Sequence, residues 1–185
     1  MTMIAAATVL TLTSATLTIA QSESGWREMT FHDLRDVSPS DPLQTIVWPD
    51  VIAEANDYAQ RALKRDLNGR NAYITALSAR FASSNGDAIV STILNRACDS
   101  GANSKGADIA PSICPLRIVV ISAGKLARID ALGCYTDHDD DTPEKNRTDA
   151  VYVKFDEAAR RVDLRANVGG RERPECARSI PLPKQ

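Results

Sequence analysis

Apolar and polar positions are most regularly patterned in the second half of the chain. CPLRIVVIS (114–122) and KLARIDALGCY (125–135) are apolar-rich runs separated by Ala123-Gly124. AVYVKF (150–155) and RRVDLRANV (160–168) are separated by Asp156 to Ala159. Short runs with turn residues between them predict the strands of an antiparallel meander. A longer period comes first. Val51, Ile52, Ala55, Tyr58, Ala59, Ala62 and Leu63 share one face of a 3.6-residue helix, with Glu54, Asp57, Arg61 and Lys64 opposite. Asp50 is the expected N-cap, Asp57 and Arg61 form an i,i+4 pair, and Asn68-Gly69 is the expected left-handed stop.

Between helix and meander the pattern divides. Tyr73, Ala76, Leu77, Arg80 and Phe81 suit a helical stripe, whereas Ile89, Val90, Thr92 and Ile93 are β-branched and suit a strand. Asn85-Gly86 is the dipeptide favoured in a two-residue type I′ turn. A hairpin about that turn pairs Phe81 with Val90 and Leu77 with Leu94; a helical hairpin is the alternative. Residues 21–49 hold three of the nine prolines and no period. They read as an extended lead-in with one helical turn around Thr30–Arg35. The expected fold is therefore α+β: one long helix packed on an antiparallel meander sheet of five to six strands, a single domain over 50–185. The proline-rich tail RERPECARSIPLPKQ is expected to be tied back only through Cys176.

Composition adds a compartment. Met1 to Ala20 carries no charge, is rich in Ala and Thr, and ends with Thr18 and Ala20 where a signal peptidase reads positions −3 and −1. Residues 1–20 read as an export signal, too weakly hydrophobic for a membrane span. Its removal leaves 165 of the 185 residues, enough for one domain, with no membrane span. The four cysteines are Cys98, Cys114, Cys134 and Cys176. An even number in an exported chain, without C-x-x-C spacing, points to two disulfides rather than zinc. Cys98 ends one predicted strand and Cys114 opens the next, which favours Cys98–Cys114 and Cys134–Cys176. Net charge is −2, and aromatic residues are 5% of the chain. A nucleic-acid partner is thereby disfavoured.

Candidate chemistry is sparse. CYTDHDDDTPEKN (134–146) is the densest acidic stretch. From Asp137, an EF-hand template finds oxygen ligands at Asp137, Asp139 and Asp141, but Thr142 replaces the glycine and Thr148 the closing glutamate. These three aspartates are a weak calcium candidate; otherwise the run is a solvated loop at a sheet end. His138 and His32 are too far apart in sequence for a zinc set to be read. Ser122-Ala-Gly-Lys125 matches S-x-x-K formally, but between two strands it reads as a hairpin turn. GANSKG (101–106) lacks the Gly-Lys-Ser/Thr end of a phosphate loop. Asn146-Arg-Thr148 is a glycosylation sequon.

The order of helix, strand ending in Cys98, loop, and Cys114 opening the next strand loosely resembles periplasmic lysozyme inhibitors. The 98–114 loop has no histidine to equate with theirs, and no residue role is carried over. No catalytic residues and no cofactor are expected. The expectation is an exported disulfide-bonded binding module (an inhibitor, an immunity-type protein or an envelope accessory protein) whose partner is another protein or an envelope component. The Cys98–Cys114 loop is the expected contact region. The alternative is an envelope-directed hydrolase using a carboxylate pair.

Overall fold

The computed structural model describes residues 25–83, 86–99, 111–136 and 149–183. Among these residues ten strands form two antiparallel sheets rather than one meander. The central sheet has the order β2 (Thr30–Asp33), β3 (Thr75–Ser83), β4 (Gly86–Leu94), β5 (Ser112–Ser122), β6 (Lys125–Tyr135). The outer sheet runs β1 (Arg27–Glu28), β7 (Ala150–Asp156), β8 (Arg161–Val168), β10 (Arg178–Pro181), with β9 (Arg171–Glu172) also on β8. Their facing sides bury Leu77, Val90, Leu116 and Ile118 against Val151, Val153, Val162 and Leu164. A second core lies on the other side of the central sheet. There Leu34, Leu43, Val47, Trp48 and Ile52 cover Ala76, Ile89, Ile93 and Val119. The molecule is a β-sandwich with a helical third layer.

The segment expected as a lead-in supplies one strand to each sheet. Thr30–Asp33, expected as a helical turn, is β2 and pairs with β3; β1 pairs with β7, and Met29 lies between them, buried. The ordered fold thus begins before residue 50. A π-helical turn, Leu43–Val47, leads into α1 (Pro49–Arg61), the one α-helix among the described residues.

At 13 residues, α1 is shorter than expected. Its N-cap is Trp48, not Asp50, because Pro49 already occupies the first helical turn, where a missing N–H costs nothing. It ends at Arg61, before Asn68-Gly69. Lys64 turns left-handed (φ 54°), and the Arg65 N–H reaches back to the Ala59 carbonyl at 2.9 Å. That early stop leaves Ala62 and Leu63 exposed and lets the chain return, so that Asn56 Oδ1 accepts the Ala72 N–H at 2.7 Å.

The 72–98 segment is the strand hairpin, not the helical one, but its register differs from the expected one. Ser83 pairs with Gly86, so Phe81 faces Ala88 and Leu77 faces Thr92. A shift of two residues keeps the same side chains on the core face. Gly86 serves the sheet rather than the turn: a Cβ there would collide with the Ile121 carbonyl of β5. Ala123-Gly124 does form the predicted turn, with φ of 47° and 73°, as type I′ requires.

Both disulfides have the expected pairing, with Cα–Cα separations of 4.1 Å for Cys98–Cys114 and 5.4 Å for Cys134–Cys176. The tail is not held by Cys176 alone. β9 and β10 both run antiparallel to β8, as one strand interrupted by a 3-10 turn, Pro174–Cys176, that dips Cys176 into the core. No helix among the described residues is long and apolar enough to cross a membrane. Asp137, Asp139, Asp141, His138, the sequon and the 101–106 loop lie outside the described residues.

Candidate functional site

The most connected polar group is structural. Arg117 sits on the helix-facing side of β5, with its side chain only 7% exposed. Its guanidinium donates to the Val47 carbonyl at 2.7 Å, to Asp50 at 2.7 Å through a second nitrogen, and to Asp130 at 2.8 Å. It also lies 4.4 Å from the Trp48 ring centroid. One cation thus fastens the helix start, the π-turn and β6 to the sheet centre. The hydrogen bond from Arg117 holds the Asp50 carboxyl down at about 2. For Asp130, burial alone would push the value up, but hydrogen bonds from Arg128 and Arg117 carry it below the ordinary range. Both carboxylates are ionised anchors near neutral pH, unsuited to proton transfer.

Folding also brings together a serine and a histidine far apart in sequence. His32 Nε2 lies 2.8 Å from Ser78 Oγ across β2 and β3. Burial lowers the His32 pKa, against an opposing pull from the Asp41 charge. Asp41 directs Oδ1 to the Leu43 N–H at 2.8 Å. Among the described residues no acceptor orients the other imidazole nitrogen, so the pair is a cross-strand hydrogen bond rather than an activated nucleophile. Ser122 and Lys125 flank the β5–β6 turn and pair with each other. Among the described residues, no group of three His, Cys, Asp or Glu side chains could hold a metal.

Two surface features remain. A cleft of about 320 Å³ is lined by Ala88, Val120, Ile129 and Phe155 together with Asp87 and Glu157. Asp87 is ion-paired with Arg80. The second feature stands where the chain leaves β2 and re-enters β3. The Asn71 N–H donates to the Arg35 carbonyl at 2.7 Å, and Asn71 Nδ2 to the Leu34 carbonyl at 2.8 Å, so residues 34–35 and 71–74 run side by side. On this ledge Tyr73 is 67% exposed; Val37, two residues past Arg35 in the chain, and Leu63, just beyond the helix end, are exposed as well. Arg35 lies 5.1 Å from the Tyr73 ring centroid and is held from below by Asp33, its Nε at 2.6 Å. Arg70 is held by Asp36 at 2.7 Å.

A tyrosine and an arginine braced by an ion pair have the composition of a protein-binding hot spot. Arg35 and Tyr73 already brace each other, which lowers the ordering cost of contact. Sequence reading missed this ledge, because it placed Leu63 on the buried helix face and Tyr73 in a hairpin or stripe. The signal available was the pair of turn-rich segments on either side of the helix.

No family model, curated protein or solved structure matches this chain.

Proposed function

We propose that the chain is an exported, disulfide-bonded binding module of the inhibitor, immunity-type or envelope-accessory kind, which engages another protein or an envelope component through the Tyr73 ledge. The observation that carries this reading is a braced Arg35–Tyr73 pair with an exposed ring, mounted on a cross-linked β-sandwich. Rigid aromatic and arginine anchors on a stiff support suit recognition. The immobilised chain should retain a component of envelope extracts, and Tyr73→Ala should weaken that binding by about 30-fold or more. Equal retention by both chains would remove the ledge from the reading.

A second reading, the hydrolase with two carboxylates, rests on Asp87 and Glu157 sharing one cleft. In the same preparation it requires turnover of an envelope polymer that disappears in the D87N/E157Q chain. Turnover that survives both changes excludes it.

A further inference from the structure

Strand β6 forms one edge of the central sheet and, among the described residues, pairs only with β5. Its middle reads Leu126-Ala-Arg-Ile-Asp-Ala-Leu132. Reversed, that heptapeptide is unchanged except that arginine and aspartate trade places. An antiparallel copy laid alongside with Ile129 on a two-fold axis sets Leu126 opposite Leu132, Ala127 opposite Ala131, and Arg128 opposite Asp130. Every pair then joins like apolar groups or opposite charges. From this palindrome we propose that the chain forms a homodimer by β6–β6 pairing, which joins two central sheets into one ten-stranded sheet.

The backbone agrees with that axis. The two-residue Ala123-Gly124 turn makes Ser122–Lys125 a hydrogen-bonded closing pair. The ladder continues from Lys125 to Tyr135 without a bulge, so odd-numbered residues of β6 aim their N–H and C=O groups at β5. Pro115 fits this alternation, since it faces Leu132 at a position where β6 needs no N–H. The even-numbered residues 126, 128, 130 and 132 therefore present their backbone groups outward. An axis through Ile129 pairs even residues only with even residues, which satisfies those groups in both copies.

The side chains agree as well. Leu126 and Leu132 are 54% and 49% exposed, on the sheet face shared with Val119 and Arg117. Among the described residues they are two of the five exposed large hydrophobic side chains. Arg128 and Asp130 pair within one chain at 3.1 Å, yet both remain partly exposed. Across the axis they would form a neutral four-charge cluster. The edge runs 11 residues without a bulge, and a long edge with outward-facing leucines is a ready template for pairing with another chain.

Sedimentation equilibrium of the full chain tests this. The wild type should be a dimer at micromolar concentration. Leu126→Lys and Leu132→Glu, both at exposed positions, should each weaken dimerisation about tenfold or more, with circular dichroism unchanged. An equimolar mixture of the two variants should recover the dimer, because the new ammonium and carboxylate then face each other while the unmodified leucines meet at the far end. A wild-type monomer at every concentration would overturn the proposal. So would a dimer indifferent to either substitution, or weakening without recovery in the mixture.

Discussion

Strands β4 and β8 have nine and eight residues, yet they are buried in different ways. β4 is buried without interruption from Ala88 to Ile93. β8 alternates strictly, with Val162, Leu164, Ala166 and Val168 buried and Asp163, Arg165 and Asn167 between them half-buried on the other face. The cause is the number of covered faces. The central sheet carries the outer sheet on one side and the helical layer on the other, whereas the outer sheet has one wet face. Double coverage removes alternation and makes each side chain a packing element. The central sheet should therefore tolerate change poorly and the outer sheet well, and three measurements bear on that difference.

The largest effect should come from the bond that holds the two sheets together. Cys134 is in β6 and Cys176 in the tail excursion beside β8, 42 positions apart in sequence. Closing that loop is worth about 4 kcal/mol on the chain-entropy model, against about 3 kcal/mol for Cys98–Cys114 within the central sheet. Denaturant unfolding of C134A/C176A and C98A/C114A should follow that order. Equal losses would mean that the sheets hold together without covalent help.

Next in size is Arg117→Met, which keeps the volume but strips the helical layer of its ionic anchor. Loss of the Val47, Asp50 and Asp130 bonds should cost about 2–3 kcal/mol, since both carboxylates can be rehydrated. A pH signature accompanies it. Asp50 is held at about 2 in the folded chain, below its ordinary value near 4. The unfolded chain takes up that proton first, so this contribution is complete above about pH 4 and fades as pH falls toward 2. In Arg117→Met the acid-dependent part of stability should flatten across that window, as read from urea midpoints at each pH.

The smallest effects separate the two sheets directly. Ser91 in β4 accepts the Trp48 indole N–H at 2.9 Å, where both side chains are buried. Ser91→Ala should cost about 1–3 kcal/mol by stranding that donor. Lys154→Ala, on the outer side of β7, should stay within about 0.5 kcal/mol. Similar losses at the two sites would contradict the double coverage of the central sheet.

The same contrast governs how much of the fold was legible in the sequence. β7 and β8 could be read because one wet face writes a period of two. β4 resisted, since Ile89, Val90, Ile93 and Leu94 carry no period once both faces are buried. The second sheet was hidden for a different reason. Alternation reveals that a face is covered, not what covers it, and the closing strand β1 is only Arg27-Glu28. Arg117 was more accessible than it seemed: the Ala123-Gly124 turn alone sets it opposite Asp130. The ledge was not legible, because Tyr73 sits in a segment that reads as either a hairpin or a helical stripe and Leu63 on the face assigned to the helix core, and only the early end of the helix at Arg61 leaves Leu63 exposed.

The crossing at Met29 has a kinetic consequence. β2 finds β3 within the first half of the chain, but β1, one residue upstream, must wait for β7: Arg27 pairs with Val153. Every strand of the central sheet has been synthesised once Tyr135 is in place, while the outer sheet takes strands from both ends of the fold. Such non-local pairing places folding in the slow, millisecond-to-second regime of all-β domains. A growing chain would hold its first strand unpartnered until nearly all the rest had been made.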